Sequence, residues 1–255
     1  MPNKKAITIK FARRQITKSL LCLVVFLAFA SVAGQYFKYF VSNGRLARAV
    51  DLFYGGNESS IPTWYSSVAL LFCSLLLALI AFVKQRGGFR YVRSWYILSI
   101  IFLFLSLDEV AMFHETMGMV LRQFFNASGA LYYRWVIVGI PLTFLFVLAY
   151  ARFIADLPPK TRWLFLLSGT IFVGGALGME MTAANYASLH GEDNMIYALL
   201  TTLEEFCEML GIVIFIDALL SHLCLYMNNL HFYLNAKQFS IQTEPFKPIN
   251  DWENS

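Results

Sequence analysis

Ser106-Leu107-Asp108-Glu109-Val110-Ala111-Met112-Phe113-His114-Glu115 closes a long apolar run that begins near Trp95. The run is long enough to cross a bilayer as a helix. Its last ten residues place Asp108, Glu109 and Glu115, with His114, where the chain should leave lipid. Ionisable groups in or near hydrocarbon are costly, so they face a bundle interior or a wet cavity. A membrane helix that ends on such a cluster points to a polyhelical membrane protein with a polar site near one face.

The composition agrees. Of 255 residues, 58% are hydrophobic and 14% are charged, against about a quarter charged in a soluble domain. The net charge of +4 does not indicate nucleic acid, because the basic residues form short clusters between apolar runs. That is the pattern of cytoplasmic loops. Cys22, Cys73, Cys207 and Cys224 lie in or at the ends of apolar runs, match no zinc spacing, and read as free thiols.

Six spans are expected, over about residues 19–40, 62–83, 95–113, 135–154, 163–186 and 195–222. They make an all-α membrane bundle over 1–227, followed by a polar tail over 228–255. The first run reads as a signal anchor. Ser31-Val32-Ala33 before Gly34 also resembles a signal-peptide cleavage site, but the aromatic run through Phe40 favours the anchor. Leu46, Val50 and Phe53 suggest a short surface turn in the first loop. Pro62 suits the first turn of span two, and Pro141 is expected to kink span four. Gly174, Gly178 and Thr182, four apart in span five, are expected to be its packing stripe.

Basic residues set the orientation. Lys4, Lys5, Lys10, Arg13, Arg14, Lys18, Lys84, Arg86, Arg90, Arg93, Lys160 and Arg162 lie on one side. Only Arg45, Arg48, Arg122 and Arg134 lie on the other, so both termini should be cytoplasmic in the inner (plasma) membrane. Asp108 and Glu109 then lie about 20 Å above the inner end of span three, by the helical rise. Glu180 lies about 25 Å up span five, and Glu204 about 27 Å up span six. This shared depth is the reason to expect one site.

Glu204, Glu205 and Glu208 share an arc with Thr201, and Asp108 and Glu115 share a face. On a regular helix Glu109 and His114 flank Asp108 on different sides. Carboxylates so crowded need shared protons, basic partners or a cation. Arg122 and Arg134 are the candidate partners. Asp108, Glu109, Glu180, Glu204, Glu205 and Glu208 are candidate ligands for a divalent Fe, Mn or Zn ion, and His114 and Glu115 are candidate catalytic groups. Di-metal bundles carry Glu-x-x-His, whereas this chain has Glu205-x-x-Glu208. His190 reads as a loop residue, His222 and His231 as cytoplasmic, and Asp217 as a separate acid awaiting a basic partner.

Ile61-Pro62-Thr63-Trp64-Tyr65-Ser66-Ser67, Phe104 to Glu109 with His114-Glu115, and Glu204-Glu205 with Glu208 resemble a group of uncharacterised multi-spanning bacterial membrane proteins. The similarity covers most of spans two to six and implies a bacterial setting without a mechanism. Integral-membrane ceramidase-like hydrolases are a weaker comparison. Ser106, Asp108 and His114 are present here, but the further helical histidines of their zinc site are not.

The expected function is a membrane protein with a metal-binding carboxylate and histidine cluster near the outer face, acting on an amphiphilic substrate such as a lipid or quinone. A proton- or cation-coupled carrier and a structural subunit of a membrane complex are the rivals. A cavity open only outward favours the enzyme, a path joining Asp217 to the acids favours the carrier, and dry packing of the acids favours the subunit.

Overall fold

The computed structural model describes residues 6–7, 13–41, 50, 52–56, 60–227, 230–235 and 238–243. Among them, six apolar stretches are long enough to cross a membrane: Arg13–Phe40, Ile61–Arg86, Val92–Ala111, Val136–Ala155, Pro159–His190 and Met195–Leu225. The helices are α1 (Arg13–Phe40), α2 (Ile61–Arg86), α3 (Val92–Ala111), α4 (Phe113–Leu121), α5 (Val136–Ala155), α6 (Pro159–Val173), α7 (Glu180–His190) and α8 (Met195–Met227). A π-helical turn, Gly174–Met179, joins α6 to α7. The first span is longer at its start than expected, and the third is shorter at its end.

Buried surface shows which helices are central. In α2 and α8, 61% and 67% of the apolar window is buried, whereas the other four spans reach 22% at most. Leu70, Leu77, Ile80, Ile212, Ile216 and Leu219 form the middle of this core. α2 starts cleanly. Ser60 caps it by accepting from the Thr63 amide at 3.2 Å, and Pro62 lies in its first turn.

α2 and α3 form an antiparallel hairpin fastened by serines seven apart on each helix. The Ser67 and Ser106 hydroxyls each donate to the other's carbonyl at 2.8 Å. Ser74 and Ser99 do the same at 2.8 and 2.9 Å. Small hydroxyl residues let backbones approach and satisfy themselves across the helix pair in lipid. Ser106 is therefore a fastener, which removes it from the ceramidase-like comparison.

The packing stripe of span five differs from the expected one. A Cβ at Gly174 or Gly178 would meet nothing within 4 Å, while one at Gly175 would lie 3.0 Å from the Cys207 Cβ and the Glu204 carbonyl. Thr182 donates to the Gly178 carbonyl at 2.8 Å and is exposed. The π turn explains the shift, because its wider turn changes the angular phase of every following residue. Pro141 lies inside one continuous helix, α5.

Asp217 has its basic partner. The Arg13 Nε donates to it at 2.6 Å, its other guanidinium donor reaches the second oxygen, and Thr17 donates at 2.8 Å. His222 is fully buried at the same basic end, stacked on Trp95 at 4.9 Å. Ala6–Ile7, Leu230–Asn235 and Gln238–Thr243 pair as a three-stranded antiparallel sheet beside the all-helical apolar body. The first-loop residue Leu46 lies outside the described residues.

Candidate functional site

The site begins where α3 stops. Met112 adopts a left-handed conformation, φ 53°, and its amide returns to the Asp108 carbonyl at 2.7 Å. A non-glycine residue there is uncommon and is held by its surroundings. The break turns the chain so that α4 starts directly above Asp108. One Asp108 oxygen accepts from the His114 amide at 3.0 Å, and the other lies 2.8 Å from the imidazole Nδ1. Asp108 thus caps α4 and orients the histidine. The expectation that Glu109 and His114 diverge fails for this reason, since it assumed one uninterrupted helix.

Trp135, at the head of α5, ties this corner to span five. Its ring stands edge-on to His114, with centroids 5.1 Å apart, and its Nε1 donates to Glu180 Oε1 at 3.2 Å. The ring is closely housed, because a Cβ at Gly139 would lie 2.7 Å from it. Glu180 opens α7 just after the π turn and lines the same cavity as Glu204 on α8. The α8 stripe continues through Glu205 and Glu208. The loop before α2 covers it: Gly55 is buried, and a Cβ there would lie 2.7 Å from the Glu205 Cγ.

All eight expected site residues line one cavity of about 680 Å³: Asp108, Glu109, His114, Glu115, Glu180, Glu204, Glu205 and Glu208. Asp217, His190 and His222 are not among its lining residues. Tyr133, Glu192 and Tyr197 also line it, and sequence reasoning did not single them out. Tyr133 donates to Glu192 at 2.9 Å, and its oxygen lies 2.6 Å from the Tyr197 hydroxyl. One turn deeper, the Tyr54 hydroxyl lies 2.8 Å from Thr201 Oγ1. Burial, followed by Tyr197 and Glu192, holds the Tyr133 phenol well above its ordinary value, so it stays a neutral donor. The only sequence signal for these groups was helical spacing from the glutamates, which places Tyr197 and Thr201 on the Glu204 stripe.

Arg122 and Arg134 also line the cavity. Arg134 donates to the carbonyls of Phe125, Tyr132 and Ala127. Arg122 lies over the Tyr132 ring, 5.4 Å from its centroid. Among the described residues, no three His, Cys, Asp or Glu side chains converge as a group able to hold a metal ion. The carboxyl groups are spread around a chamber wall.

The family comparison covers the whole of this chamber, because its match runs over residues 17–223. The chain belongs to the family DUF8692, a domain of unknown function. No curated protein and no solved structure matches it. The DUF8692 match includes Asp217 but begins after Arg13, and it leaves out the terminal sheet.

His114 lies beyond the end of span three, and its charge state has a testable consequence. Burial opposes protonation, but the hydrogen bond and charge of Asp108, with Glu115 and Glu180, outweigh it and raise the imidazole above its ordinary value. A raised folded-state value stabilises fully below the unfolded value of about 6.5, and the contribution is lost as pH rises through the folded value. Between about pH 6 and about pH 9 the wild type should therefore lose more thermal stability than His114→Gln. Equal pH slopes in the two proteins would rule out a charged Asp108–His114 pair.

Proposed function

We propose that this protein is a plasma-membrane cation-binding protein whose acid chamber opens to the outer face. Its basic end, with Arg13, Lys84, Arg86 and Lys160, then faces the cytoplasm, following the distribution of positive charge. One observation carries the reading: eight acids and a histidine line a single cavity, against two arginines. Crowded carboxylates away from bulk water require protons or a cation.

The oxygen-rich donor set suits a hard or borderline divalent ion such as Mg or Mn. The spread of the carboxyl groups favours an ion that keeps part of its water shell over one held in a closed, dry ligand set. Asp108 and His114 supply the proton-handling pair. Asp108 fixes the ring through Nδ1, which leaves Nε2 as the nitrogen able to exchange a proton with a bound molecule. Metal-dependent chemistry on an amphiphilic substrate is the enzyme form of this reading. A carrier gains less support, because Asp217 is held by Arg13 and Thr17 and does not line the chamber.

The test is cation binding by purified protein in mild detergent, by elemental analysis and Mn²⁺ titration. Glu204→Gln/Glu208→Gln should bind Mn²⁺ about tenfold more weakly or worse, with an unchanged elution profile. A wild-type protein that is folded and binds none of Mn²⁺, Zn²⁺ or Fe²⁺ would sink the reading. Proton flux into liposomes would then be the measurement to make.

A further inference from the structure

We infer that the chamber admits the amine head of a single-chain amphiphile, which enters sideways from the bilayer between α3 and α5. This ligand class presupposes the cation-binding reading above and adds the nature of the cation and its route.

The chamber has two chemistries. Its outer part presents Glu180, Glu204 and Glu205, with Glu208 one turn deeper, and its inner part presents Leu70, Leu105, Phe172 and Val173. A small ion makes no use of an apolar floor. A molecule charged at one end and hydrocarbon at the other matches both halves. The volume of about 680 Å³ is within the usual range for small-molecule sites, which are mostly apolar with a few placed polar groups.

α3 and α5 touch each other little. α5 is held at its two ends. At the acid end Trp135 bonds Glu180. At the basic end the Tyr150 hydroxyl donates to the Ser94 carbonyl at 3.1 Å, and Phe153 stands edge-on to Trp95 at 5.1 Å. Over residues 140–149 Leu142, Phe144, Leu145 and Leu148 are 57–62% exposed, and only Thr143 and Phe146 turn partly inward. Across the gap, Phe104 and Leu107 of α3 are each 54% exposed. Leu105 and Thr143 line the chamber from the two sides of this gap. In a membrane these faces meet acyl chains, so a hydrocarbon tail passing between them leaves an apolar medium for an apolar floor.

Charge selects the head. Acids outnumber the two arginines in the chamber lining, so an ammonium is attracted, while a carboxylate head of the same chain length is repelled.

The full chain is placed in neutral phosphatidylcholine nanodiscs and titrated with dodecylamine, dodecanoate and, separately, Mn²⁺, with empty discs as blank. Dodecylamine should saturate and bind about tenfold or more tightly than dodecanoate. Thr143→Trp, which fills the wall, should weaken dodecylamine about tenfold and leave Mn²⁺ within about twofold. Leu148→Trp, on the lipid side of the same helix, should change neither. If Thr143→Trp does not fold, Leu105→Trp blocks the gap from the opposite wall and carries the same expectation. Dodecylamine that binds no better than dodecanoate, or that ignores the wall variants, overturns the inference. Mn²⁺ binding without dodecylamine binding removes this ligand class and leaves the cation site standing. Binding of neither ligand removes both.

Discussion

Gly211→Leu is expected to force α6 away from α8 and to lower stability by about 3 kcal/mol or more, with loss of the chamber. The reason is the closeness of the two backbones. A Cβ at position 211 would lie 2.8 Å from the Phe172 Cβ, 2.9 Å from its amide nitrogen and 3.0 Å from its Cα. Helix backbone cannot swing aside as a side-chain tip can, so the whole crossing has to open. Even Gly211→Ala should destabilise by about 2 kcal/mol, against the gain of about 1 kcal/mol that alanine usually brings to a helix. Gly169→Ala on α6 is the control, since nothing lies within 4 Å of its Cβ position. It should be neutral or stabilising by about 1 kcal/mol. Unfolding by SDS titration in mixed micelles reads both. Equal effects at 211 and 169 would mean that the close crossing does not exist. Loss of Mn²⁺ binding in Gly211→Leu would follow from geometry alone, because the same crossing places Gly175 against Glu204 and Glu208.

This crossing also marks the limit of what the sequence made legible. Hydropathy alone delimits the six spans, since lipid demands long apolar helices and little else resembles them. Shared depth along those helices was enough to bring Asp108, Glu180 and Glu204 together. Phase was harder. Gly174 and Gly178 look like the packing stripe if every residue advances by the same angle, but the π turn at Gly174–Met179 moves the contact to Gly175. Likewise, Glu109 and His114 diverge on a straight helix and converge once Met112 breaks it. Both departures are local backbone choices set by tertiary contacts, and no short-range residue pattern announces them. Arg134 shows a third limit. Composition makes it a partner for the acids, but loop carbonyls near it take its donors first. Backbone carbonyls left over by an irregular loop need donors of their own, and charge counting does not see them.

Asp217→Ala should lower stability by about 2–3 kcal/mol, and Arg13→Ala by a similar amount, because each leaves the other charge partly buried and alone. The side chains are 18% and 27% exposed, so neither remnant is fully rehydrated. The pair joins the first span to the last, with Thr17 and Ser221 completing it from the same two helices. α1 has little else of this kind. Only 17% of its apolar window is buried, and a further polar tie to α8 is the Ser31–Thr202 hydroxyl pair at 2.9 Å. Removing the ion pair should therefore loosen α1 in particular, seen as faster proteolysis ahead of α2 and not as a general softening. Arg13→Met/Asp217→Leu should recover most of the loss, since an apolar pair of similar volume removes the uncompensated charge. The double-mutant coupling is expected to be about 1.5–3 kcal/mol. Mn²⁺ binding should be unaffected in all three variants, because Asp217 does not line the chamber. A variant that kept its stability and lost Mn²⁺ would connect Asp217 to the acids after all, and the carrier reading would then replace the closed-ended site.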